Sequence, residues 1–201
     1  MANAFDQTSV SRSPFHGSSC SSANAFAPAV ISSLPIDAPL ALPDKPSIAV
    51  LPFQNMSGDP EQEYFADGMV EEIITALSRF KSLFVIARNS SFTYKGKAVD
   101  IKQVGRELGV RYVLEGSVRK AGGRVRITGQ LIECATGSHL WADKFDGPLD
   151  GMFDLQDEVT FKVVASVAPR IDQVEIERSR RAPRTSVDAY DCMLRGMDHF
   201  Y

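Results

Sequence analysis

Arginine and lysine side chains form two groups in this chain that could bind phosphate. One group lies on a segment of alternating polar and apolar residues and the other near the carboxyl end: Arg111, Arg119, Lys120, Arg124 and Arg126, and then Arg178, Arg180, Arg181 and Arg184. Nucleic-acid binding also needs aromatic side chains that stack on bases, and the polar positions of the first group carry none, while Glu115 interrupts its positive charge. The pattern predicts a solvated face, a soluble linker and no nucleic-acid partner for this segment.

Phe92 and Tyr94 are two aromatic residues in an otherwise polar stretch. Aromatic and arginine side chains supply most of the binding energy at protein interfaces, so these two aromatics and three of the arginines are candidate contacts with a protein partner. The candidate residues are Phe92, Tyr94, Arg119, Arg124 and Arg126. Alternatively, the two aromatics fold back as a lid on the sheet.

Four residues fall on a calcium-loop template at its first, fifth, sixth and twelfth positions: Asp146, Asp150, Gly151 and Asp157. Oxygen ligands at these offsets could surround Ca²⁺. However, Pro148 occupies the third position, and the twelfth carries Asp rather than the longer, bidentate Glu. The segment is therefore interpreted as an acidic loop that leads into a helix.

The remaining reactive residues lack a catalytic or metal-binding spacing: His16, His139 and His199, and Cys20, Cys134 and Cys192. No glycine-rich phosphate loop and no GxSxG nucleophile motif occur. Cys134 ends a predicted apolar strand and is expected to be a small buried residue. We expect no catalytic residue, no metal and no cofactor, and hence a chain that is not an enzyme.

Composition narrows the class of protein. The chain has 201 residues, of which 44% are apolar and 23% charged, and its net charge of −3 gives no electrostatic attraction to anionic membranes. Its apolar runs are too short to span a bilayer. The three cysteines cannot form a disulfide framework, which favours a reducing, cytoplasmic location.

The two ends differ from the middle. Residues 1–45 are rich in Ser, Ala and Pro, which predicts a disordered leader, and prolines interrupt the apolar part that a signal peptide would need. Residues 177–186 are polar and basic, as in a linker. Residues 187–201 form an amphipathic segment with nothing after it to pack on, so we expect a fragment of a longer protein.

A parallel β-α-β unit opens the predicted domain, which spans residues 46–176. The apolar run at Ile48–Leu51 predicts a buried strand, and Asp59 can cap a following helix. A second apolar strand is predicted at Leu83–Ala87, followed by a polar connection over residues 88–99 and a short helix that ends at Gly109.

Alternating residues from Tyr112 onward predict an antiparallel meander of three strands with one polar face. Leu155, Val159, Val163 and Val167 then repeat every four residues on a helix that Pro169 should disturb. The fold class is therefore α/β, with a mixed sheet, the order β-α-β-α-β-β-β-α and helices packed on the sheet.

Several separated segments, in order, closely resemble one protein family: PSIAVLPFQNMSGDPEQEYFADGMVEEIITALSRF, FVIARNSSFTYKGK, VGRELGVRYVLEGSVRK, RVRITGQLIE and TGSHLWADKFDG. They resemble the TolB-like amino-terminal domain of bacterial multidomain signalling proteins over about residues 46–165. In such proteins the domain follows a class III adenylate/guanylate cyclase domain or a winged-helix DNA-binding domain and precedes tetratricopeptide repeats. The resemblance implies that residues 187–201 begin such a repeat, and it transfers no catalytic residue.

The expected function is that of a non-catalytic interaction or sensory module. It would link an effector domain of a cyclase-type signalling protein to a tetratricopeptide array, with protein partners or adjacent domains and an oligomeric state that the sequence leaves open. Two alternatives are the sensor region of a winged-helix transcription regulator and an enzyme whose site forms only in three dimensions.

Overall fold

The computed structural model describes residues 45–148, 151–181 and 189–197. These residues form six strands and five helices: β1 (Ser47–Val50), β2 (Gln54–Asn55), α1 (Pro60–Leu77), β3 (Phe84–Val85), α2 (Arg88–Phe92), α3 (Ile101–Leu108), β4 (Tyr112–Ala121), β5 (Arg124–Glu133), β6 (His139–Pro148), α4 (Met152–Arg181) and α5 (Ala189–Met197). The predicted leader, apart from Lys45, lies outside the described residues, as do His16, Cys20, Asp150, Arg184 and His199.

The six strands form one mixed sheet. Strand β1 lies between β3 and β4 and is parallel to both, while β4, β5 and β6 are antiparallel, in the order β3-β1-β4-β5-β6. Strand β2 pairs in parallel with β4 beyond the end of β1. The predicted mixed α/β sheet, its parallel β1-α1-β3 unit and its meander are confirmed.

Helix α1 begins where the sequence predicts it. The carboxylate of Asp59 accepts a hydrogen bond from the backbone N–H of Glu61 at 3.0 Å, and Pro60 occupies the first turn, where it costs no hydrogen bond. The buried residues recur at helical spacing: Phe65, Met69, Val70, Ile73 and Leu77. Phe80, predicted on the same stripe, lies beyond the helix end and is exposed.

The main core lies between one face of the sheet and helices α1 and α4, and it includes Leu114, Ile127, Met69 and Val163. A smaller core lies on the other face, where α3 covers only β1 and the first residues of β4. Gly105 of α3 permits this contact, because a Cβ there would lie 2.5 Å from the Cβ of Cys134. No helix formed by the described residues covers the rest of that face, on β4, β5 and β6.

Two short elements were missed by the sequence analysis. Strand β2 occupies part of a predicted loop, and helix α2 falls in the predicted connection over residues 88–99. Each is too short, at 2 and 5 residues, to show a periodic pattern. Both elements therefore depend on tertiary pairing and packing.

Helix α4 continues to Arg181 and so includes the first half of the predicted linker over residues 177–186; residues 182–186 lie outside the described residues. Pro169 does not end the helix. It lies on the exposed side of α4, so water can satisfy the carbonyl that its missing N–H leaves without a partner. Among the described residues, no helix is long and apolar enough to cross a membrane.

Candidate interaction site

Three arginines predicted as partner contacts lie together at the end of the β4–β5 hairpin. Arg119 of β4 faces Arg126 of β5 in the strand register, and Arg124 starts β5. The hairpin can turn because Gly122 and Gly123 adopt φ values of 57° and 75°, which other residues rarely adopt. Since Arg119, Arg124 and Arg126 are all exposed, we call them the arginine tip.

The three side chains of the arginine tip differ in what they bind. Arg126 forms two hydrogen bonds with Asp146 of β6, at 2.6 and 3.1 Å, and this contact lowers the pKa of the Asp146 carboxyl. Arg119 forms no ion pair with any described residue. Asp146 thus serves as a partner of arginine, and within the described residues no group of His, Cys, Asp and Glu side chains could hold a metal ion.

Arg111 and Lys120, which the sequence groups with these arginines, face elsewhere. Lys120 donates to Asp59, the residue that caps α1, at 3.0 Å, and this bond is the main reason that the pKa of Asp59 is lowered. Arg111 directly precedes β4, at the opposite end of the strand from the arginine tip. The basic segment is therefore divided between a capping contact, a buried contact and an exposed tip.

Polar side chains cover the open sheet face next to the arginine tip. The hydroxyls of Ser117 and Thr128 lie 2.8 Å apart, and Gln130 donates to Glu115 at 3.2 Å. Partial burial raises the pKa of the Glu115 carboxyl. The predicted polar face of the meander is confirmed.

The two candidate aromatics, Phe92 and Tyr94, pack within the domain. The guanidinium of Arg88 lies 3.8 Å from the centre of the Phe92 ring, and the Tyr94 hydroxyl donates to Glu107 of α3 at 2.5 Å. Burial and the Glu107 carboxylate raise the pKa of Tyr94 to about 12. The structure therefore joins these aromatics to α2 and α3 and not to the arginine tip, and their contact with a partner stays a prediction.

Tyr94 borders a broad cleft of about 720 Å³ on the open face. One side is formed by residues 94–99 and the other by β4 and β5, including Ser117 and Thr128. The cleft lies beyond the carboxyl end of the parallel strand β1, a common position for binding sites in α/β sheets. Its lining mixes apolar, charged and amide side chains, among them Phe53, Lys97 and Gln130.

A buried ionic cluster at the other end of β4 was not found from the sequence. Glu175 of α4 is 0% exposed and accepts hydrogen bonds from the Tyr112 hydroxyl at 2.6 Å, from Arg111 Nη1 at 3.1 Å and from Arg178 Nη2 at 2.6 Å. Burial, followed by the Glu175 charge, strongly raises the pKa of Tyr112. We call these four residues the Glu175 cluster.

A signal for this cluster is present in the sequence. The buried stripe of α4 repeats every four residues from Leu155 to Ile171, and the next two members are Glu175 and Ser179, which are also buried. A carboxylate at a core position of a helix needs buried cationic or hydrogen-bonding partners. Reading the stripe beyond Pro169 would have predicted a buried acid.

Helix α5 packs against this end of α4. Leu194 is 1% exposed, and Arg195 donates to the carbonyl oxygen of Ser179 at 3.1 Å. The amphipathic segment predicted at residues 187–201 to have nothing after it to pack on thus packs, through α5, on α4 of the same chain. Tyr190 also faces this interface, and burial is the main reason that its pKa is raised.

Reactive thiol chemistry is not supported at Cys134. This cysteine is 5% exposed, and burial raises the pKa of its thiol to about 12, so that the thiolate is scarce at neutral pH. The prediction of a small buried residue is confirmed. His139 lies exposed on β6.

Fold and site together define a small mixed α/β domain with a polar open face, an exposed arginine tip and a long helix, α4. The sequence model of the second domain of HilA/YgeH-like transcriptional regulators matches residues 44–162, which is more than half of the chain. The chain belongs to that family.

Comparison with individual proteins gives one close relative and more distant structures. A protein of Rhizobium meliloti (strain 1021) named "Putative adenylate cyclase 3" is 57% identical over 157 residues, which are 78% of this chain and 27% of the relative. The chain thus spans about a quarter of the length of this curated relative.

Two solved structures are among those that match this chain at low sequence identity. Lipoprotein GNA1162 from Neisseria meningitidis is 20% identical, with a TM-score of 0.44 over 61% of this chain and 98% of that chain. TolB from Acinetobacter baumannii is 16% identical, with a TM-score of 0.42 over 63% of this chain and 29% of that chain. The structural neighbours therefore include TolB.

Proposed function

We propose that this chain is a non-catalytic interaction and sensory module of a cyclase-type signalling protein. In this role the α/β domain links an effector domain to a tetratricopeptide array that begins with α5. The observation that carries the proposal is the Glu175 cluster, which ties the last part of α4 to the first residues of β4.

The cluster couples the long helix to the sheet. Glu175 receives hydrogen bonds from Tyr112 of β4, from Arg111 directly before that strand, and from Arg178 on its own helix. Separating a buried carboxylate from its cationic partners is costly, so α4 moves with the sheet rather than independently. A displacement caused by a partner on the open face would therefore reach α5 through α4.

The Rhizobium relative supports the cyclase context. This chain aligns at 57% identity with 27% of that protein's length, which leaves most of the relative for other domains. A class III cyclase needs a pair of metal-binding aspartates on a catalytic fold of its own. A linking role requires no such pair.

A chimera tests the proposal. The segment of the Rhizobium relative that matches this chain is replaced by residues 45–201, and cyclic AMP formation from ATP with Mg²⁺ or Mn²⁺ is compared among the intact relative, the chimera and a variant without the segment. We expect the chimera to retain activity and regulation that the deletion loses. The purified chain alone should form no cyclic AMP or cyclic GMP; robust turnover by it would contradict a non-catalytic role.

The family match favours a second candidate, the sensor region of a transcription regulator, because the matching family is described as the second domain of such proteins. In this case a winged-helix domain rather than a cyclase would be the effector. Replacement of the second domain of such a regulator by residues 45–201, with a reporter transcript as the readout, distinguishes the two. Function in only one of the two chimeras assigns the effector class.

A further inference from the structure

Helices α1 and α4 present an unusual set of exposed aromatic rings on their outer surface. The two helices are in contact, since Thr160 donates to Glu72 at 3.5 Å. Tyr64, Phe153 and Phe161 are 85%, 80% and 74% exposed. Large exposed apolar groups that form one patch mark interaction surfaces.

On α4 these rings flank a carboxylate. Phe153, Asp157 and Phe161 follow one another at intervals of four residues and therefore share one face of the helix, which we call the α4 stripe. Asp157 is exposed and forms no ion pair with a described residue. Burial of Glu72 is the main reason that the pKa of Glu72 is raised, and the charge of Asp157 is the second. The stripe thus offers two aromatic faces and an unpaired negative charge.

A guanidinium group matches this combination. Its plane stacks on an aromatic ring while its N–H groups donate to a carboxylate, which an ammonium does less well. The domain already contains such an arrangement: Arg88 lies 3.8 Å from the Phe92 ring centre and 4.0 Å from the Asp67 carboxylate. In the described residues the cation–ring contacts are those at Phe92, so neither ring of the α4 stripe has one.

The arginine tip supplies the complementary group. Arg119 and Arg124 are exposed, and Arg119 forms no ion pair with a described residue. Alternation along β4 and β5 places Arg119 and Arg126 on the open face of the sheet, whereas α4 packs on the opposite face. The tip and the stripe of one molecule therefore point away from each other, although every molecule carries both.

We propose that the arginine tip of one copy docks on the α4 stripe of a second copy. The contact is heterologous, because it joins two different surfaces, so each copy retains a free tip or a free stripe for another. It names the partner of the interaction module proposed above and rests on that role. Charge complementarity between the tip and the stripe is what selects a second copy as the occupant.

Sedimentation velocity of the full chain over a concentration series tests the contact. We expect concentration-dependent self-association that weakens as salt rises from about 0.05 M to about 0.5 M, because exposed charge pairs are screened. The double variants Phe153→Ala/Phe161→Ala and Arg119→Ala/Arg124→Ala should each weaken association about tenfold or more, a loss of ~1.4 kcal/mol or greater. Phe84→Ala and Arg79→Ala remove an exposed ring and an exposed arginine elsewhere and should leave association unchanged.

Mixing the two double variants identifies the kind of contact. One variant keeps its tip and the other its stripe, so the mixture should form a 1:1 dimer and nothing larger, at concentrations where each variant alone, weakened tenfold or more, is monomeric. A wild-type chain that is monomeric throughout the series, or a mixture that does not pair while the wild type associates, would overturn the proposal. Circular dichroism confirms that each variant is folded.

The chimera assay separates this inference from the proposed function. Loss of self-association in a tip variant with unchanged cyclase regulation in the chimera supports the contact and leaves the linking role intact. A wild-type chain that fails to associate but still restores regulation overturns the contact alone. Failure of the chimera with normal tip-to-stripe pairing overturns the linking role alone.

Discussion

The two ends of β4 carry the same residue type in opposite environments. Directly before the strand, Arg111 binds the fully buried Glu175 at 3.1 Å, whereas near its end Arg119 faces solvent in the arginine tip. Charges in a dry interior interact far more strongly than charges in water, and they also cost more to leave unpaired. Burial, and not sequence pattern, therefore separates a contact that stabilises the domain from a surface that is free to bind.

The largest effect expected from this comparison is at Glu175. Replacing it by alanine, Glu175→Ala, leaves Arg111, Arg178 and the Tyr112 hydroxyl without their common acceptor, and we expect a loss of about 3–5 kcal/mol in the free energy of unfolding. Urea denaturation followed by circular dichroism at pH 7 measures it.

Glu158→Ala is the matched control on the same helix. Glu158 is exposed and pairs with Lys162 one turn later, so its removal should change the free energy of unfolding by no more than about 0.5 kcal/mol. Equal losses in the two variants would mean that the Glu175 cluster contributes no more than a surface pair.

The next effect is at Tyr112. The change Tyr112→Phe removes a hydrogen bond of 2.6 Å to a buried carboxylate and should cost about 2 kcal/mol. Burial raises the pKa of Tyr112 above its ordinary value of 10, with smaller contributions from the Glu175 charge and this bond, so the folded protein holds the proton more tightly than the unfolded chain. Wild-type stability should therefore fall as pH rises above 10, and the variant should lose less.

Tyr94→Phe serves for comparison in the same denaturation experiment. Its hydroxyl donates to Glu107 at the surface, where water can replace the bond, so the loss should be smaller than at Tyr112. A larger loss of stability for Tyr94→Phe than for Tyr112→Phe would contradict the greater strength expected of the buried hydrogen bond.

The difference between the two ends of β4 also explains what the sequence could predict. Alternation and helical spacing depend on neighbours along one chain, and they located β4, β5, β6, α1 and α3 and the exposed position of Arg119. The Glu175 cluster depends on Arg111 and Glu175, which are separated by 64 residues, and no local pattern pairs them. The exposed rings of α4 lie off the buried stripe of that helix, and the stripe predicts only which residues are buried.

Glu115 lies between the two ends of β4 and should give an effect of opposite sign. Partial burial raises its pKa, so the folded protein binds this proton more tightly than the unfolded chain, and wild-type stability falls as pH rises through the range just above the ordinary value of 4.5. Glu115→Gln removes the buried charge, so it should be neutral or stabilising at pH 7 relative to pH 4. Urea denaturation of both proteins at the two pH values checks this, and a destabilised variant at pH 7 alone would contradict it.

The smallest effect on stability is expected at the arginine tip. Arg119→Ala and Arg124→Ala remove exposed side chains from the end of the hairpin, and each should change the free energy of unfolding by no more than about 0.5 kcal/mol. Arg111→Ala is the matched change at the other end of the same strand, and it should cost several times more because Glu175 would lose a cationic partner while staying buried. We expect the tip variants to retain full stability but to lose self-association. Replacing arginine by alanine would then affect folding at one end of β4 and binding at the other. If Arg119→Ala instead destabilised the domain as much as Arg111→Ala, Arg119 would make a stabilising contact within its own domain. It would then not be available to a second copy.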